Sequence, residues 1–290
     1  GALTIGQILG MLSHFTLDEA SPQSVHLISE ASRLAFADRS LYMADSDVVT
    51  MPTAGLLDPT YLKSRAALID PIQAAKEVAP GQPPWKAAET RAMDNAIEFP
   101  STSHMSIVDH DGNAVSLTTT IENGFGWRMR ARGFLLNNEL TDFSFDYIDA
   151  EGKPIANAVA PGKRPRSSMS PTIVLDENDD FLMAVGSPGG RNIISYVAKT
   201  VVGIMSWGLS PQEAIDLPNM VAKTEQVRIE RHRAKPEIIQ ALRDYGYNVF
   251  ESEGEISGLS AVLKIEDGTL QGGADPRREG TVGILYDNEL

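Results

Sequence analysis

Apolar residues near the start of the chain recur at the spacing of a helix. Ile5, Ile8, Leu9 and Leu12 fall at the three- and four-residue steps of one helical face. A second pattern follows Ser21-Pro22, a pair typical of a helix start. Its apolar positions keep the same spacing: Val25, Ile28, Ala31, Leu34 and Ala35. Both segments are predicted to be helices that pack into the core.

The segment that follows the helices has no hydrophobic period. From Ala75 to Trp85 the chain gains proline and glycine, and polar sequence without a pattern continues to about Pro100. Proline and glycine interrupt regular structure, so we predict an exposed connector here. If the chain is cut anywhere, the end of this connector is a suitable place.

Polar and apolar residues alternate on both sides of His110-Asp111-Gly112, as in a β-hairpin. With these three residues as the loop and Gly112 in the left-handed conformation, residue i faces residue 222 − i. Met105 then faces Leu117, and Ile107 faces Val115. A two-residue loop would instead set apolar residues against polar ones across the ladder, so the first register is favoured.

The same register, continued to the start of the first strand, places Thr102 opposite Thr120. Their two hydroxyls then share the polar face of the hairpin with His104 and Ser106. The hairpin therefore predicts that two threonines lie side by side directly after the connector.

Beyond the hairpin the pattern predicts further strands and helices. Strands are predicted at 132–136, 172–175, 181–185, 259–265 and 269–273. Helices are predicted at 193–205, from Ser210-Pro211 onward and at 236–245. The irregular stretch 144–166 is long for a loop inside a compact domain, and such loops are usually functional lids or disordered.

Composition and charge narrow the class of protein. The 290 residues suffice for one large layered domain or two small ones, and 25 basic against 39 acidic residues give a net charge of −14. This charge argues against nucleic acid or an anionic membrane as the main partner. The absence of cysteine excludes disulfides, thiolate metal sites and a cysteine nucleophile.

The apolar stretches and the first residues of the sequence bear on where in or outside the cell the protein acts. No run of about 18 apolar residues could span a bilayer. The first residues, Gly1-Ala2-Leu3-Thr4, include neither an initiator methionine nor a charged signal-like start, so we expect that the natural protein begins further upstream. The composition leaves the compartment open.

Three groups of residues could carry chemistry. The turn 186–190, Gly-Ser-Pro-Gly-Gly, joins a predicted strand to a predicted helix, so its backbone N–H groups could bind an anion or an oxyanion. Glu139 and Asp142 could receive an ammonium group, and Ser167 with Ser168 could donate to a carboxylate. Taken singly, each group is more often a tight turn or a solvated face.

The sequence around these residues closely resembles the gamma-glutamyltransferase family, from the connector to near the end of the chain. The similar stretches are Thr-Ser-His-Met-Ser-Ile-Val-Asp at 102–109, Asp-Gly-Asn-Ala-Val-Ser at 111–116, Leu-Leu-Asn-Asn-Glu-Leu-Thr-Asp-Phe-Ser at 135–144, Lys-Arg-Pro-Arg-Ser-Ser-Met-Ser-Pro-Thr-Ile-Val at 163–174, Gly-Ser-Pro-Gly-Gly at 186–190 and Gly-Ala-Asp-Pro-Arg at 273–277. The resemblance implies an α+β fold, the four-layer αββα sandwich of N-terminal-nucleophile hydrolases with two antiparallel sheets.

The resemblance also implies a division of the chain. Residues 1–101 would be the helical C-terminal part of the large (alpha) subunit, ending in the connector, and an upstream part of that subunit would be missing. Residues 102–290 would be the small (beta) subunit that carries the nucleophile. The two parts would form one interleaved domain.

By resemblance, the precursor cuts itself between Ser101 and Thr102, and Thr102 becomes the nucleophile. A free α-amine has a pKa of about 8, so much of it is unprotonated near neutral pH and it can act as general base to its own hydroxyl. His104 and His110 are then not needed as bases, and we interpret both as structural.

The other family roles transfer to individual residues. Thr120 would support the nucleophile, and Gly189 with Gly190 would bind the oxyanion. Glu139 and Asp142 would hold the α-ammonium of a gamma-glutamyl group. Ser167 and Ser168 would hold its α-carboxylate. The acyl group would then pass from Thr102 to water or to an amino-acid or peptide acceptor.

The chain differs from the family pattern at one visible position. Glu122 stands where many members have asparagine, so a third carboxylate is expected near the ammonium site. The arginine that usually binds the α-carboxylate belongs to the upstream part. Tyr147 lies in the region of the family's lid loop, 144–166, without a clear match to a gating tyrosine.

Two alternatives to a gamma-glutamyl enzyme remain at this stage. One is an acylase of the same fold that takes glutaryl or other acyl groups, which lack the ammonium that Glu139 and Asp142 would bind. The other is an unprocessed or truncated inactive form. The resemblance implies no cofactor, no metal, no nucleic acid and no membrane as partner, and a periplasmic or secreted location.

Overall fold

The computed structural model describes residues 1–85, 90–94, 96 and 101–285. Within these residues the α-helices are α1 Ala2–Leu12, α2 Pro22–Tyr42, α3 Thr53–Leu56, α4 Pro59–Ala66, α5 Ile193–Met205, α6 Pro211–Asp216 and α7 Pro236–Asp244. The strands are β1 Ser101–Val108, β2 Ala114–Glu122, β3 Arg130–Ala131, β4 Phe134–Leu135, β5 Thr172–Leu175, β6 Phe181–Gly186, β7 Met220–Ala222, β8 Gln226–Glu230, β9 Asn248–Ser252, β10 Ser260–Lys264 and β11 Leu270–Ala274.

The first two helices form as predicted. Ser21 caps α2 by accepting a hydrogen bond from the backbone N–H of Ser24 at 3.1 Å, and Pro22 occupies the first helical turn. Helix α1 packs against α2, α4 and α5. The short helices α3 and α4 were not predicted, although Asp58 before Pro59 is a helix-start signal and caps α4.

A four-stranded antiparallel sheet forms the centre of the molecule. Its strand order is β11-β10-β6-β5, so β5 and β6 are neighbours as predicted. Helices α5 and α6 pack on this sheet, and the β1–β2 hairpin also packs against it. Buried residues such as Met183, Val185, Val197 and Ala261 belong to one large core. The combination of helices with mainly antiparallel sheets agrees with the predicted α+β class.

The hairpin has the predicted register. Thr102 pairs with Thr120, Met105 with Leu117 and Ile107 with Val115. Gly112 has a φ of 84°, the left-handed conformation that the three-residue loop requires. The ladder shifts between Ser101 and Thr102, so the predicted scissile bond lies at an irregularity of the strand.

The hairpin turns its polar face inward. The hydroxyl of Ser106 donates to the carbonyl of Ser260 at 3.2 Å, and that of Ser116 donates to the carbonyl of Val185 at 3.1 Å. The backbone N–H of Thr172 in turn donates to the Ser116 hydroxyl at 3.1 Å. The opposite, apolar face of the hairpin is 42% to 52% exposed: Met105, Ile107, Val115 and Leu117.

One predicted strand is wrong, and one sheet of the structure was not predicted. The predicted strand 132–136 is instead a small hairpin, β3–β4, because the chain turns at Arg132 and Gly133, both of which have positive φ. Strands β7, β8 and β9 form a third sheet that the sequence did not predict. In it β8 and β9 are parallel, since α7 lies between them in the chain and carries it back.

The described part of the connector is less exposed than predicted. Ala92 and Asp94 are buried, and their backbone N–H groups donate to Pro154 and Ser40 carbonyls at 2.9 Å each. Residues 86–89, 95 and 97–100 of the connector lie outside the described residues. None of the helices in the described ranges combines the length and apolar character that crossing a bilayer needs.

Gly186 at the end of β6 offers a test of the packing between hairpin and sheet. A Cβ added there would lie 2.2 Å from Cε1 of His104. We predict that Gly186→Ala lowers the free energy of unfolding by about 1–3 kcal/mol, the usual cost of overpacking. Urea unfolding measures this change.

Gly254→Ala is the matched control, because a Cβ at Gly254 meets no atom within 4 Å. We expect that variant to stay within about 1 kcal/mol of the parent protein. Equal unfolding midpoints for the two variants would contradict the tight contact between His104 and Gly186.

Candidate active site

Thr102 lies at the start of β1 in a narrow cleft and is 7% exposed. The cleft brings together most of the residues that the sequence singled out: Thr102, Thr120, Glu122, Glu139, Asp142, Ser167, Ser168 and Gly190. Met169 and Ile193 complete its walls and were not predicted. Its volume is only ≈ 20 Å³, room for about one water molecule.

The hydroxyl of Thr120 is fixed by two hydrogen bonds. Its Oγ1 accepts the backbone N–H of Glu122 at 2.8 Å and donates to the carbonyl oxygen of Ser101 at 2.8 Å. Because the N–H uses a lone pair, the hydroxyl proton is directed at Ser101. The donor therefore faces the carbonyl of the bond between Ser101 and Thr102.

Glu122 lies at the end of β2, directly beside this pair of threonines. It is 2% exposed, and its φ of 71° is rare for a residue other than glycine. The side-chain amide of Asn138 donates to its carboxylate at 2.5 Å. The carboxylate of Glu122 is thus a built part of the cleft.

Glu139 and Asp142 lie at the two ends of a 3-10 turn, Glu139–Asp142. The Asn157 amide donates to the backbone carbonyl of Asp142 at 2.8 Å and to the carboxylate of Asp94 at 2.9 Å. Arg166 pairs with the same Asp94 carboxylate at 3.0 Å. This chain of contacts holds the acidic turn against the connector and against the stretch 144–166.

Ser167 and Ser168 also line the cleft. The hydroxyl of Ser168 accepts a hydrogen bond of 2.6 Å from Nη2 of Arg39. Arg39 lies on α2 and is 1% exposed. No local pattern in the sequence marked Arg39, because its contact spans 129 positions of the chain.

The turn after β6 has the backbone shape that glycine permits. Gly189 has a φ of 141° and Gly190 a φ of 56°, and a Cβ on Gly189 would lie 2.6 Å from the ring of Tyr196. Gly190 lines the cleft, whereas Gly189 is not among the lining residues. Of the two predicted oxyanion residues, only Gly190 therefore lines the cleft that holds Thr102.

Arg278 lies near Thr102, and no role was predicted for it. Its Nη1 donates to the backbone carbonyl of Thr102 at 3.0 Å. It follows directly after the Gly-Ala-Asp-Pro-Arg motif at 273–277. The motif was the available signal, but nothing in it indicated where the arginine would point.

His104 is held in a structural position on the inner face of the hairpin. Its Nδ1 lies 2.8 Å from the hydroxyl of Thr118, and its Nε2 lies 3.1 Å from that of Ser106. Burial lowers the pKa of the His104 ring to about 4. The ring is therefore neutral at physiological pH, and its contacts agree with the structural interpretation.

Within the described ranges no group of three or more His, Cys, Asp or Glu side chains could hold a metal ion. Carboxylates on Glu122, Glu139 and Asp142 and hydroxyl groups on Ser167 and Ser168 line the same cleft. A ligand with an ammonium group and a carboxylate on one carbon would satisfy both sets.

The profile of the family described as Gamma-glutamyltranspeptidase matches residues 1–285. The chain belongs to this family. The "Glutathione hydrolase proenzyme" of Bacillus subtilis (strain 168) is 35% identical over 98% of the chain and 49% of the relative. The chain thus spans about half the length of the curated relatives it matches.

Acylases are also among the family relatives. The "Acylase ACY 1 proenzyme" of Pseudomonas sp. (strain SE83) is 33% identical over 96% of the chain and 47% of the relative. The solved structure of a cephalosporin acylase from Bacillus halodurans superposes with a TM-score of 0.82 and 25% identity, covering 98% of this chain and 49% of that one. The fold is therefore that of the N-terminal-nucleophile hydrolases, as predicted.

The pKa of His104 predicts how stability depends on pH. The value falls from its ordinary 6.5 to about 4 on folding, so the unfolded chain binds more protons between these limits. Stability is full above about pH 6.5 and is lost as the pH falls toward 4. We expect His104 to account for about 1–2 kcal/mol of the stability lost between about pH 7.5 and pH 5.

Urea unfolding of the parent protein and of His104→Gln at both pH values measures this contribution, because the variant should lose less stability on acidification. His110→Gln serves as control, since the His110 side chain is 80% exposed. The same pH dependence in the parent and in His104→Gln would contradict a buried neutral ring.

Proposed function

We propose that the protein transfers or hydrolyses gamma-glutamyl groups through an acyl-enzyme on Thr102, which becomes an N-terminal residue by self-cleavage. One observation carries the proposal: the Thr120 hydroxyl donates to the Ser101 carbonyl at 2.8 Å, in the cleft that holds Thr102. This donor lies where a nucleophile attacking Ser101 needs one.

The cleavage step follows from this geometry. The Thr102 hydroxyl oxygen attacks the carbonyl carbon of Ser101, and the hydrogen bond from Thr120 stabilises the negative charge that develops on the carbonyl oxygen. The C–N bond between Ser101 and Thr102 breaks as the nitrogen takes up a proton, which leaves an ester on the Thr102 oxygen. Water then hydrolyses the ester to a Ser101 carboxylate and a free Thr102 amine.

The small size of the cleft supports this order of events. A volume of ≈ 20 Å³ is far below the roughly 300 Å³ or more of a typical ligand pocket. At this volume the cleft has no room for a gamma-glutamyl compound beside Thr102. We therefore infer that cleavage opens the site as well as activating the nucleophile.

After cleavage, the amine of Thr102 takes the proton of its own hydroxyl, and the oxygen attacks the substrate's amide carbonyl. The backbone N–H groups of Gly189 and Gly190 would bind the oxyanion. The leaving amine departs with a proton, and water or the amine of an amino acid or peptide then accepts the acyl group from Thr102. The first acceptor gives hydrolysis and the second gives transfer.

Charge at the cleft favours a gamma-glutamyl group as the donor. Asp142 and Glu139, together with Glu122, would bind its α-ammonium, while Ser167 and Ser168 would bind its α-carboxylate. Arg39 adds a buried cation directly behind Ser168. An acyl group without an ammonium would leave these carboxylates without a charged partner on the substrate.

Residues 1–101 and 102–290 would be the parts of the large and small subunits that this chain contains. The contacts of Arg39 with Ser168 and of Asp94 with Asn157 join the two parts across the proposed cut. We expect them to stay associated after cleavage. As in the resemblance above, we expect the protein to act in the periplasm or outside the cell.

A second candidate function is that of an acylase for glutaryl or similar amides. It is favoured by the relatives named as acylases and by the likeness to the cephalosporin acylase structure. The two functions differ in whether the donor carries an ammonium group near Asp142. They can therefore be separated with matched substrates.

Self-cleavage is tested first. We predict that Thr120→Val slows the appearance of a fragment beginning at Thr102 by about 100-fold, the usual effect of losing one oxyanion donor. Thr102→Ala should give no such fragment. Denaturing gel electrophoresis with N-terminal sequencing measures both.

Thr119→Val is the matched control for Thr120→Val, because Thr119 lies on the outward face of the same strand. It should be cleaved at the rate of the parent protein. Unchanged cleavage in Thr120→Val, or cleavage in Thr102→Ala, would refute the proposed mechanism.

Donor specificity is tested with gamma-glutamyl and glutaryl anilides. We predict a preference for the gamma-glutamyl compound, and a loss of about 10- to 100-fold in its kcat/KM for Asp142→Asn, because a charge-assisted hydrogen bond is lost. Turnover of the glutaryl anilide should change little in that variant. A strong preference of the parent protein for glutaryl would favour the acylase instead.

A further inference from the structure

Arg278 is the one charged side chain in the described residues that is seen to hydrogen-bond to the backbone of Thr102. Its Nη1 donates to the Thr102 carbonyl oxygen at 3.0 Å. Its aliphatic part packs beside Gly258, where an added Cβ would lie 3.1 Å from Cδ of Arg278 and 2.8 Å from Cγ of Pro188. The side chain therefore lies between the start of β1 and the Gly-Ser-Pro-Gly-Gly turn.

The position of Arg278 is set by a buried network on its neighbours. The Arg277 guanidinium donates to Glu230 at 2.7 and 2.5 Å and to Asp275 at 3.1 Å. The backbone N–H of Arg278 donates to the carbonyl of Asp275 at 3.3 Å, and that of Asp275 donates to Leu259 at 2.9 Å. The backbone that leads into Arg278 is thus fixed by the contacts of Asp275 and Arg277.

We propose that Arg278 is a positioning residue that clamps Thr102 by its carbonyl, and that its charge keeps the freed amine of Thr102 in the neutral form that can act as a base. The inference rests on the function proposed above, and it adds a residue and an electrostatic role that the family motifs do not assign.

The clamp survives the proposed cut because of where it is attached. The bond that breaks lies on the amino side of Thr102, whereas Arg278 holds the carbonyl side. Both residues therefore remain in the same 102–290 fragment. A freed strand end would otherwise fray, and a clamped one keeps its amine near its own hydroxyl.

The electrostatic effect follows from distance. The amine nitrogen and the carbonyl oxygen of one residue are separated by three bonds, roughly 3 Å, so the guanidinium lies within about 6 Å of the freed amine. A cation at this distance disfavours the protonated amine and so lowers its pKa. More of the amine is then available as a base at neutral pH.

Opposing charges make this contribution necessary. Glu122 from β2 and Glu139 and Asp142 from the 3-10 turn line the same cleft, and their carboxylates favour the protonated amine. His104 on β1 is neutral, since burial lowers its pKa to about 4. Arg39 on α2 acts from behind Ser168. Arg278 is the cation that touches the Thr102 residue itself.

The test compares the pH dependence of kcat/KM for a gamma-glutamyl anilide in Arg278→Gln, Arg278→Lys and the parent protein. In Arg278→Gln we expect the rising part of the curve of kcat/KM against pH to move to higher pH by about 1 unit. At a pH below this rise, kcat/KM should therefore fall roughly tenfold. Arg278→Lys keeps the charge, so the rising part of its curve should stay closer to that of the parent. Arg243→Gln is a charge-matched control, because it removes the same charge from a different pair. Arg243 on α7 pairs with Glu251 on β9.

A second measurement reads the amine directly. Only the neutral amine reacts with an acylating reagent, so the pH dependence of acylation at Thr102, followed by mass spectrometry of its N-terminal peptide, gives its pKa. In Arg278→Gln the acylation midpoint should rise by about the same unit. Unchanged midpoints in both measurements, with only a lower plateau of kcat/KM, would overturn the electrostatic role.

The two proposals fail in different ways. If the parent protein yields no peptide beginning at Thr102, or Thr102→Ala still turns over the anilide, the proposed function is wrong. If the parent protein is cleaved and active, and Arg278→Gln matches it in cleavage rate, plateau and the rising part of the pH curve, only the role of Arg278 is wrong.

Discussion

The buried guanidinium of Arg277 is the interaction on which the arrangement of the sheets depends. It binds Glu230 of β8 through two nitrogens and Asp275 after β11, and it donates to the carbonyls of Ile215 and Leu217 at the end of α6. Its side chain is 5% exposed. Breaking such a buried pair by removing one partner typically costs about 3–5 kcal/mol. The central sheet, the third sheet and α6 are thus held at one point, one residue from the clamp on Thr102.

The residues of the candidate site come from several separate segments of the chain. Its proposed nucleophile comes from a hairpin, its acidic side from a 3-10 turn, its hydroxyl side from an extended segment and its proposed oxyanion turn from the end of β6. Buried polar contacts that span long stretches of sequence, such as those of Arg39 and Arg278, hold them in one geometry.

Much of this could be predicted from sequence where the determining interactions are local. The register of the hairpin follows from its alternation and from Gly112, so Thr102 and Thr120 could be paired in advance. Glu139, Asp142, Ser167, Ser168 and Gly190 lie within recognisable motifs. The parallel pairing of β8 and β9 could not be predicted, because it depends on contacts distant in sequence. The same holds for Arg39, whose partner lies 129 positions away.

The hairpin packs on the central sheet through serine hydroxyls, while its apolar side chains point away. Apolar contacts are non-directional, so two layers that meet only through them can slide by a fraction of a residue at little cost. Hydroxyl contacts such as those of Ser106 and Ser116 have a narrow range of distance and angle. These hydrogen bonds therefore fix the position of the hairpin relative to the sheet. The polar interface therefore sacrifices some hydrophobic burial for mechanical stiffness, in the strand that carries Thr102.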